Sequence, residues 1–393
     1  MTIKIPSTTS QYNITKSNQT YILGENSTID VTGSFGIFAD GIHDVRIEIK
    51  GQIIQDSMGG AMYTNGRDIS VHIAEGGSAP GQGGISMSGP RARFVNDGTL
   101  TGGIYTGGAR ATIINHGEIF ADQNAGSGVE MHGPSSKLIS TGSIEAGYGI
   151  TFNETRASIV LGEDSVVTGK VAGIFSSTAD ASLATRLVNH GTITSMQYAV
   201  NTSAGKETII NHGTIEGGIY LGDGNDVFDN RGGTVSAYIQ GGNGNDTLIT
   251  DKASAEFLES DVGGIDTVRS TVTYTLSTNV ERLVLIGGKN VDGNGNGDDN
   301  TLIGNAGNNA PTGLSGADTF VFGTHSGHDT VTDFDATLDR IDLRKLDGVT
   351  SFSDLKNHHM SEQDGNVIIS VGGDQLTIEN IGKNDFDKAD FLI

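Results

Sequence analysis

GGIYLGDGNDVFDNRGGTVSAYIQGGNGNDTLI (residues 217–249) states one pattern twice. GGIY runs into LGDGNDVFDN and SAYI into QGGNGNDTLIT, so Gly222 and Gly242 open matching Gly-x-Gly-Asn-Asp turns. Asp226 and Asp246 hold the same offset, and each leads into a short apolar strand, Val227-Phe228 or Leu248-Ile249. Glycines at Gly222, Gly224, Gly242 and Gly244 let the backbone pass through positive φ and aim its carbonyls inward. A carboxylate at a fixed place adds a hard anionic oxygen, and that mixture of donors suits Ca²⁺. A single Gly/Asn/Asp cluster would make an ordinary turn. Two in register, with more downstream, point to metal.

Downstream, GGIDTV (from Gly263) puts Asp266 at the ligand position, and further copies begin at Gly295, Gly304 and Gly313, nine residues apart. Gly-Gly-x-Gly-x-Asp-x-apolar-x is the nonapeptide of calcium-binding parallel β-rolls. Strong sites are expected at Asp226, Asp246, Asp266 and Asp318, with Asp223 and Asp298 as helpers. Asn300 and Asn309 stand where Asp belongs, which lowers ligand charge and weakens those sites. Pro311 takes the place of a strand's apolar residue and cannot donate to a ladder, so that half-turn is expected to be distorted. The segment VTYTLSTNVERLVLIGG (residues 272–288) reads as a spacer interrupting the repeats.

These repeats resemble the RTX family of secreted bacterial proteins. The resemblance implies several bound Ca²⁺ ions and a β-roll over residues 217–322. SGHDTVTDFDATLDRIDLRKL (residues 326–346) and DGNVIISVGGDQLTIENIGKNDFDKADFLI (residues 364–393) resemble the C-terminal part of RTX exoproteins such as the serralysins. On that likeness Asp329, Asp333 and Asp335 close the last calcium turn; Asp339 and Asp342 are further candidates for it, but read first as helix-start residues of a short amphipathic segment. VIISV and QLTIEN read as a hairpin turning at Gly372-Gly373-Asp374, part of a cap over residues 323–393. A stack of strands needs such a cover because an open rung invites edge pairing. The ending Asp390-Phe391-Leu392-Ile393 resembles the uncleaved type I secretion signal of this family, which implies a type I exporter as partner and an extracellular destination.

Working toward the N-terminus, a longer strand-and-turn unit recurs: FVNDGTLTGGIY (from Phe94), IINHGEIFAD (from Ile113), LISTGSIEAGYGI (from Leu138), LVNHGTITS (from Leu187) and IINHGTIEGGIY (from Ile209). Its fixed glycine falls at Gly98, Gly117, Gly142, Gly191 and Gly213, and the long gap before Gly191 hides one divergent copy. Periods of this size built from short strands mean a parallel β-solenoid. Ile113, Ile209 and Ile215 are expected to point into one continuous core. The units resemble those of right-handed β-helices in bacterial surface and autotransporter passenger proteins. The expected fold is all-β: a cap or irregular segment over residues 1–20, then a right-handed parallel β-helix over 21–216. That helix is expected to continue without a linker into the calcium-bound roll.

Asn115, Asn189, Asn211 and Asn230 read as a turn ladder, with His116, His190 and His212 as its exposed neighbours. A catalytic reading of those histidines is disfavoured because Asp97, Thr141 and Arg231 replace His in other units. Tyr105 and Tyr220, in matching GGIY positions, read as rings stacking between rungs. No His-Glu-x-x-His occurs in the sequence, and no compact catalytic constellation is apparent. Because polysaccharide lyases and epimerases share the scaffold, fold alone does not choose a function. The first reading is a non-enzymatic adhesin or matrix protein that binds extracellular polysaccharide or a cell surface. The alternative is a lyase, hydrolase or epimerase acting on exopolysaccharide.

Composition agrees with a metal-stabilised repeat protein. The 393 residues include 59 Gly, five Pro, no Trp and no Cys, so neither disulfides nor thiolate metal sites exist. Residues 220–393 carry 23 Asp and 5 Glu against 11 Lys and Arg, a net −17 of the chain's −23. Such acidity excludes nucleic acid and anionic membrane as natural partners. Without cations this half repels itself, and metal binding becomes folding energy. MTIKIPSTTSQYNITKSNQT at the N-terminus has neither an apolar h-region nor a small-residue cleavage site. No stretch approaches the ~18 apolar residues of a membrane span.

Overall fold

The computed structural model describes residues 1–55, 59–153, 156–177, 184–261 and 263–393. They form short β-strands, with helical turns at Phe352–Asp354, Leu355–His359 and Lys388–Asp390. No described helix is long and apolar enough to cross a membrane. The chain divides into two compact units. One comprises Met1–Gly224 and Gly232–Ala237, the other Asn225–Arg231 and Tyr238–Ile393. The division therefore falls inside the first Gly-x-Gly-Asn-Asp turn.

In the first unit, each coil lays its strands parallel to those of the next. Along one face Thr2–Ile5 pairs with Thr20–Leu23, which pairs with Arg46–Ile49, and the ladder runs through Thr112–Asn115 to Lys206–Asn211. Residues 1–20, expected as a cap or irregular segment, thus form a coil of their own, with Ile5 and Ile14 buried. A strand's side chains alternate between faces, so identical register stacks identical positions. Ile113, Leu138, Ile159, Leu187 and Ile209 accordingly lie one above another inside the solenoid. Ile215 is fully buried on another strand of the coil.

Four strands of that face, Arg93–Asn96, Thr112–Asn115, Ala184–Asn189 and Lys206–Asn211, end at the asparagine of the repeat. Asn96 Nδ2 donates to Asn115 Oδ1 (2.8 Å), and Asn189 Nδ2 donates to Asn211 Oδ1 (2.8 Å). An amide both donates and accepts, so a column of them satisfies itself through the core wall. The second hydrogen on Asn115 Nδ2 reaches the Ser143 carbonyl (3.2 Å). The fixed glycine follows from the same geometry. A Cβ on Gly117 would stand 2.1 Å from the Gly98 carbonyl oxygen, and one on Gly142 2.0 Å from that of Gly117. Asn230 belongs to the second unit, where its backbone N–H donates to Ile249 (2.8 Å).

In the second unit the column reads Phe228, Leu248, Val268, Leu283, Leu302 and Phe320, all buried and in register. The expected spacer at residues 272–288 does not interrupt the stack. Arg282–Leu285 inside it pairs with Thr267–Ser270 on one side and Thr301–Ile303 on the other. Strands follow Asn300 and Asp318, but none follows Asn309, where Pro311 denies the ladder a donor. At the C-terminal end, Asn366–Val371 and Asp374–Ile378 form the expected antiparallel hairpin, closed at Val371 and Asp374 around Gly372-Gly373. Residues 340–345, expected as part of a helical segment, are instead a strand pairing with Thr319–Gly323 and, through Ile341, with Phe391. Asp342 lies within that strand and is bridged by Arg344 (2.7 Å).

Candidate metal centre

The aspartates of the repeat stand one residue ahead of a strand and reach toward the neighbouring coil. The Asp226 N–H donates to Oδ1 of Asp246 (2.7 Å), and the Asp246 N–H to Oδ1 of Asp266 (2.7 Å). The Asp266 N–H continues the ladder to Oε2 of Glu281 (2.7 Å). Glu281 lies within the supposed spacer. Its coil is shorter than its neighbours, and the longer side chain spans the difference.

One oxygen of each carboxylate is thereby committed to the backbone. The other is not: Oδ2 of Asp246 and Oδ2 of Asp266 are buried without a hydrogen-bond partner. Glu259 joins them, and ligand atoms of Asp246, Glu259 and Asp266 all lie within 4.8 Å of one another. Glu259 is held by the N–H groups of Gly241 and Gly242 (3.1 Å each). A Cβ on Gly241 would lie 2.1 Å from Glu259 Oε1 and 2.5 Å from Asp246 Oδ2, so only glycine leaves room. Gly244 and Gly264 take φ of 127° and 144°, each two residues ahead of its aspartate. The Gly242 carbonyl borders the same space, 3.0 Å from where a Cβ of Gly263 would sit.

Burial pushes Asp246 and Asp266 up to about 7 and Glu259 up to about 8; the Asp246 charge adds to the rise at Asp266, and both aspartates add to that at Glu259. Three carboxylates in one water-poor space, two of them with an orphaned oxygen, call for a cation. The donors are all hard oxygens with no nitrogen or sulfur, which fits Ca²⁺ and not a soft transition metal.

Residues 196–393 match the family described as Peptidase M10 serralysin C terminal. The chain belongs to the serralysin C-terminal family. Its repeats are therefore RTX repeats of the calcium-binding β-roll type. A solved structure, the extracellular lipase LipA from Serratia marcescens, is similar over 54% of this chain and 45% of that chain, at 15% identity and a TM-score of 0.28. This chain thus spans less than half the length of that lipase. No curated protein matches the chain.

The serralysin-type unit repeats the arrangement once more. The Asn300 N–H donates to Asp318 Oδ1 (2.8 Å), and the Asp318 N–H donates to Asp339 Oδ1 (2.9 Å). Asp333 takes the N–H groups of Gly313 (2.9 Å) and Leu314 (2.8 Å), as Glu259 does for Gly241 and Gly242. Burial pushes Asp318 up to about 6, with Asp339 and Asp333 adding to the rise. Asp339 is therefore a ladder residue and no helix start. Asp329 accepts from the Asn309 N–H (2.8 Å), and burial pushes it up to about 7. Asp335 is taken up by its own turn, through the Thr337 N–H (2.8 Å) and hydroxyl (2.6 Å).

Other RTX positions expected to bind do something else. Asn300 Nδ2 donates to the Val280 carbonyl (3.2 Å) and Asn296 Oδ1 (3.1 Å), while its Oδ1 accepts from the Asn296 N–H (2.7 Å). Asn309 does the same with Val291 (2.6 Å) and Asn305 (3.1 Å and 2.9 Å). The amide hydrogens of both side chains are thus committed within the roll, and each Oδ1 already accepts one hydrogen bond. Asp298 Oδ2 accepts from the Asn279 N–H (2.8 Å), and Asp223 is exposed at the end of a first-unit strand.

The residues that sequence reasoning missed are Glu259 and Glu281, while Asp339 reads in the sequence first as a helix start and second as a calcium-turn residue. Glu259 was legible only through register, since Ile239 and Gln240 pair with Phe257 and Leu258 and so bring Gly241 beside it.

Proposed function

We propose that the protein is a secreted calcium-binding exoprotein, exported by a type I system, whose roll folds on calcium after export. Its β-solenoid then acts as an extracellular adhesin, matrix or polysaccharide-binding surface. The observation carrying this reading is the orphaned pair, Asp246 Oδ2 and Asp266 Oδ2, facing Glu259 within 4.8 Å. Asp246, Glu259, Asp266 and the Gly242 carbonyl would hold the ion, which supplies the charge that these buried acids lack. In a calcium-poor interior a region of net −17 repels itself, and the chain stays loose enough to thread an exporter. Outside, binding free energy becomes folding free energy.

A binding role for the first unit, and not an enzymatic one, is supported by how its recurrent polar groups are used. Asp97 is shared by His72 Nε2 (2.8 Å) and His116 Nδ1 (2.7 Å), and the rings of His190 and His212 lie 5.2 Å apart, tilted by 33°. A groove of about 650 Å³ is lined, among the described residues, by amides, a hydroxyl, an aromatic ring and one carboxylate, without Lys or Arg.

Circular dichroism and urea unfolding of the full chain test the calcium reading. Millimolar calcium is expected to raise β-content and to move the roll's unfolding to higher urea, a shift that EGTA reverses. Identical spectra and unfolding curves in both conditions would sink it.

A further inference from the structure

The outer face of the first unit carries a row of side chains that the core and the metal sites do not use. Phe38, Tyr63, Ser86, Tyr105 and Glu130 occupy one register position on consecutive coils. Further along the same line come Phe175 and Tyr220. All seven are half-buried, neither packed away nor waving in solvent. Two of the rings in this area lie flat because glycine sits beneath them. A Cβ on Gly107 would lie 3.2 Å from Tyr105 Cε1 and 2.9 Å from its hydroxyl oxygen, and one on Gly60 would lie 2.7 Å from Phe35 Cε1. Tyr63 stacks on Phe38 at 5.3 Å with 17° between the rings. Tyr105 also meets the His132 ring (5.2 Å, 46°) and Phe175 meets Tyr148 (5.0 Å, 49°), so the rings form a half-buried aromatic strip along the coils.

We propose that this row is a binding track for a neutral polysaccharide chain running across the coils. The proposal rests on the reading of the first unit as a polysaccharide-binding surface and names its site and ligand class. Adjacent coils are about 4.8 Å apart, close to the advance of one sugar in an extended glycan, so successive pyranoses meet successive coils. The exposed parts of these rings offer apolar surface to the C–H faces of pyranoses. Ser86 and the Glu130 carboxylate, itself held by His132 at 2.7 Å, supply partners for sugar hydroxyls between the rings. Charge decides against an acidic glycan. The row contains no Lys or Arg, one of its members is an acid, and the chain as a whole carries −23.

The test is saturation-transfer NMR on the calcium-loaded full chain with a soluble neutral glucan, a neutral mannan and alginate. A neutral glycan is expected to receive saturation, and Tyr63→Ala and Tyr105→Ala each to weaken binding at least about fivefold. Tyr105→Phe is expected to bind as the parent does. Circular dichroism and the calcium-dependent melting temperature are expected to stay unchanged in all three. Ser86→Arg blocks the track from a half-buried position without removing a ring, and it is expected to weaken binding even if an alanine variant misfolds. Neutral-glycan binding undiminished in folded Ala and Arg variants would overturn the track while leaving the polysaccharide-binding reading intact. Binding of alginate alone would overturn the neutral ligand class. Silence of the parent protein across all three glycans would overturn both the track and that reading.

Discussion

The Asp246 backbone N–H donates to Oδ1 of Asp266 at 2.7 Å, while Oδ2 of each carboxylate lies buried without a partner. One atom of the side chain builds the stack and the other waits for an ion. Separating the two roles gives the first prediction. Asp266→Asn keeps an acceptor for the Asp246 N–H but removes one charge from the site, so it is expected to weaken calcium binding at least about tenfold, or 1.4 kcal/mol. Glu259→Gln is expected to do the same. Isothermal titration calorimetry reads both, and affinities equal to the parent's would remove these residues from the site.

Protonation provides the second prediction. The unfolded chain titrates its carboxyls near 4, whereas burial holds Asp246 and Asp266 at about 7 and Glu259 at about 8. Between those values the metal-free folded roll binds more protons than the unfolded chain, so its stability falls as pH rises from about 4 to about 8. Calcium competes with those protons, and its affinity is expected to rise across the same window. With EGTA present, the melting temperature is expected to be higher at pH 5 than at pH 8. With saturating calcium the difference is expected to shrink or reverse. A flat profile in EGTA would contradict the burial of these acids.

Much of this was open to reading in the sequence because a solenoid repeats its local rules. The fixed glycines Gly98, Gly117 and Gly142 mark the period of the solenoid, and in the fold Gly117 sits where a Cβ would strike the Gly98 carbonyl. Alternation predicts the burial of Ile113 and Ile209. What escaped was set by pairing between coils of unequal length. Glu281 does the work of an aspartate from a short coil, and Glu259 reaches the site through the register of Phe257 with Ile239. Asn300 looks like a weakened ligand by position. Its amide hydrogens are spent on Val280 and Asn296, a fact of folded geometry that no one-dimensional pattern carries.

Those amide bonds join the Asn rungs to their neighbours without a metal ion. In Asn300→Asp, an oxygen replaces Nδ2 opposite the Val280 carbonyl and Asn296 Oδ1, turning two hydrogen bonds into two oxygen–oxygen contacts. Urea unfolding in EGTA is expected to show a loss of about 2–3 kcal/mol, with part of it restored by calcium. A variant as stable as the parent in EGTA would show that those bonds contribute nothing.

Gly241 tests the space around the ion. An added Cβ would meet Glu259 Oε1 and Asp246 Oδ2, so Gly241→Ala is expected to push the carboxylates apart and weaken calcium binding at least about tenfold. Gly288 is exposed with nothing within 4 Å of its Cβ position, and Gly288→Ala is expected to stay within about 0.5 kcal/mol of the parent. Equal calcium affinities for the two variants would contradict the geometry of the site.

The asparagine ladder of the first unit is expected to respond to mutation without any regard to calcium. Asn115 is fully buried, accepts from Asn96 Nδ2, and donates to Ser140 Oγ (3.3 Å) and the Ser143 carbonyl (3.2 Å). Asn115→Ala removes all three bonds and strands an amide donor and a carbonyl inside the wall of the solenoid, where leaving such groups unpaired is costly. A loss of about 2–4 kcal/mol in the unfolding transition of the first unit is expected. Because the acids that bind the ion belong to the other unit, that loss is expected to be equal in EGTA and in calcium. A calcium-dependent loss would mean that the ladder and the metal sites are energetically coupled, and a loss below about 0.5 kcal/mol would mean that water replaces the missing amide.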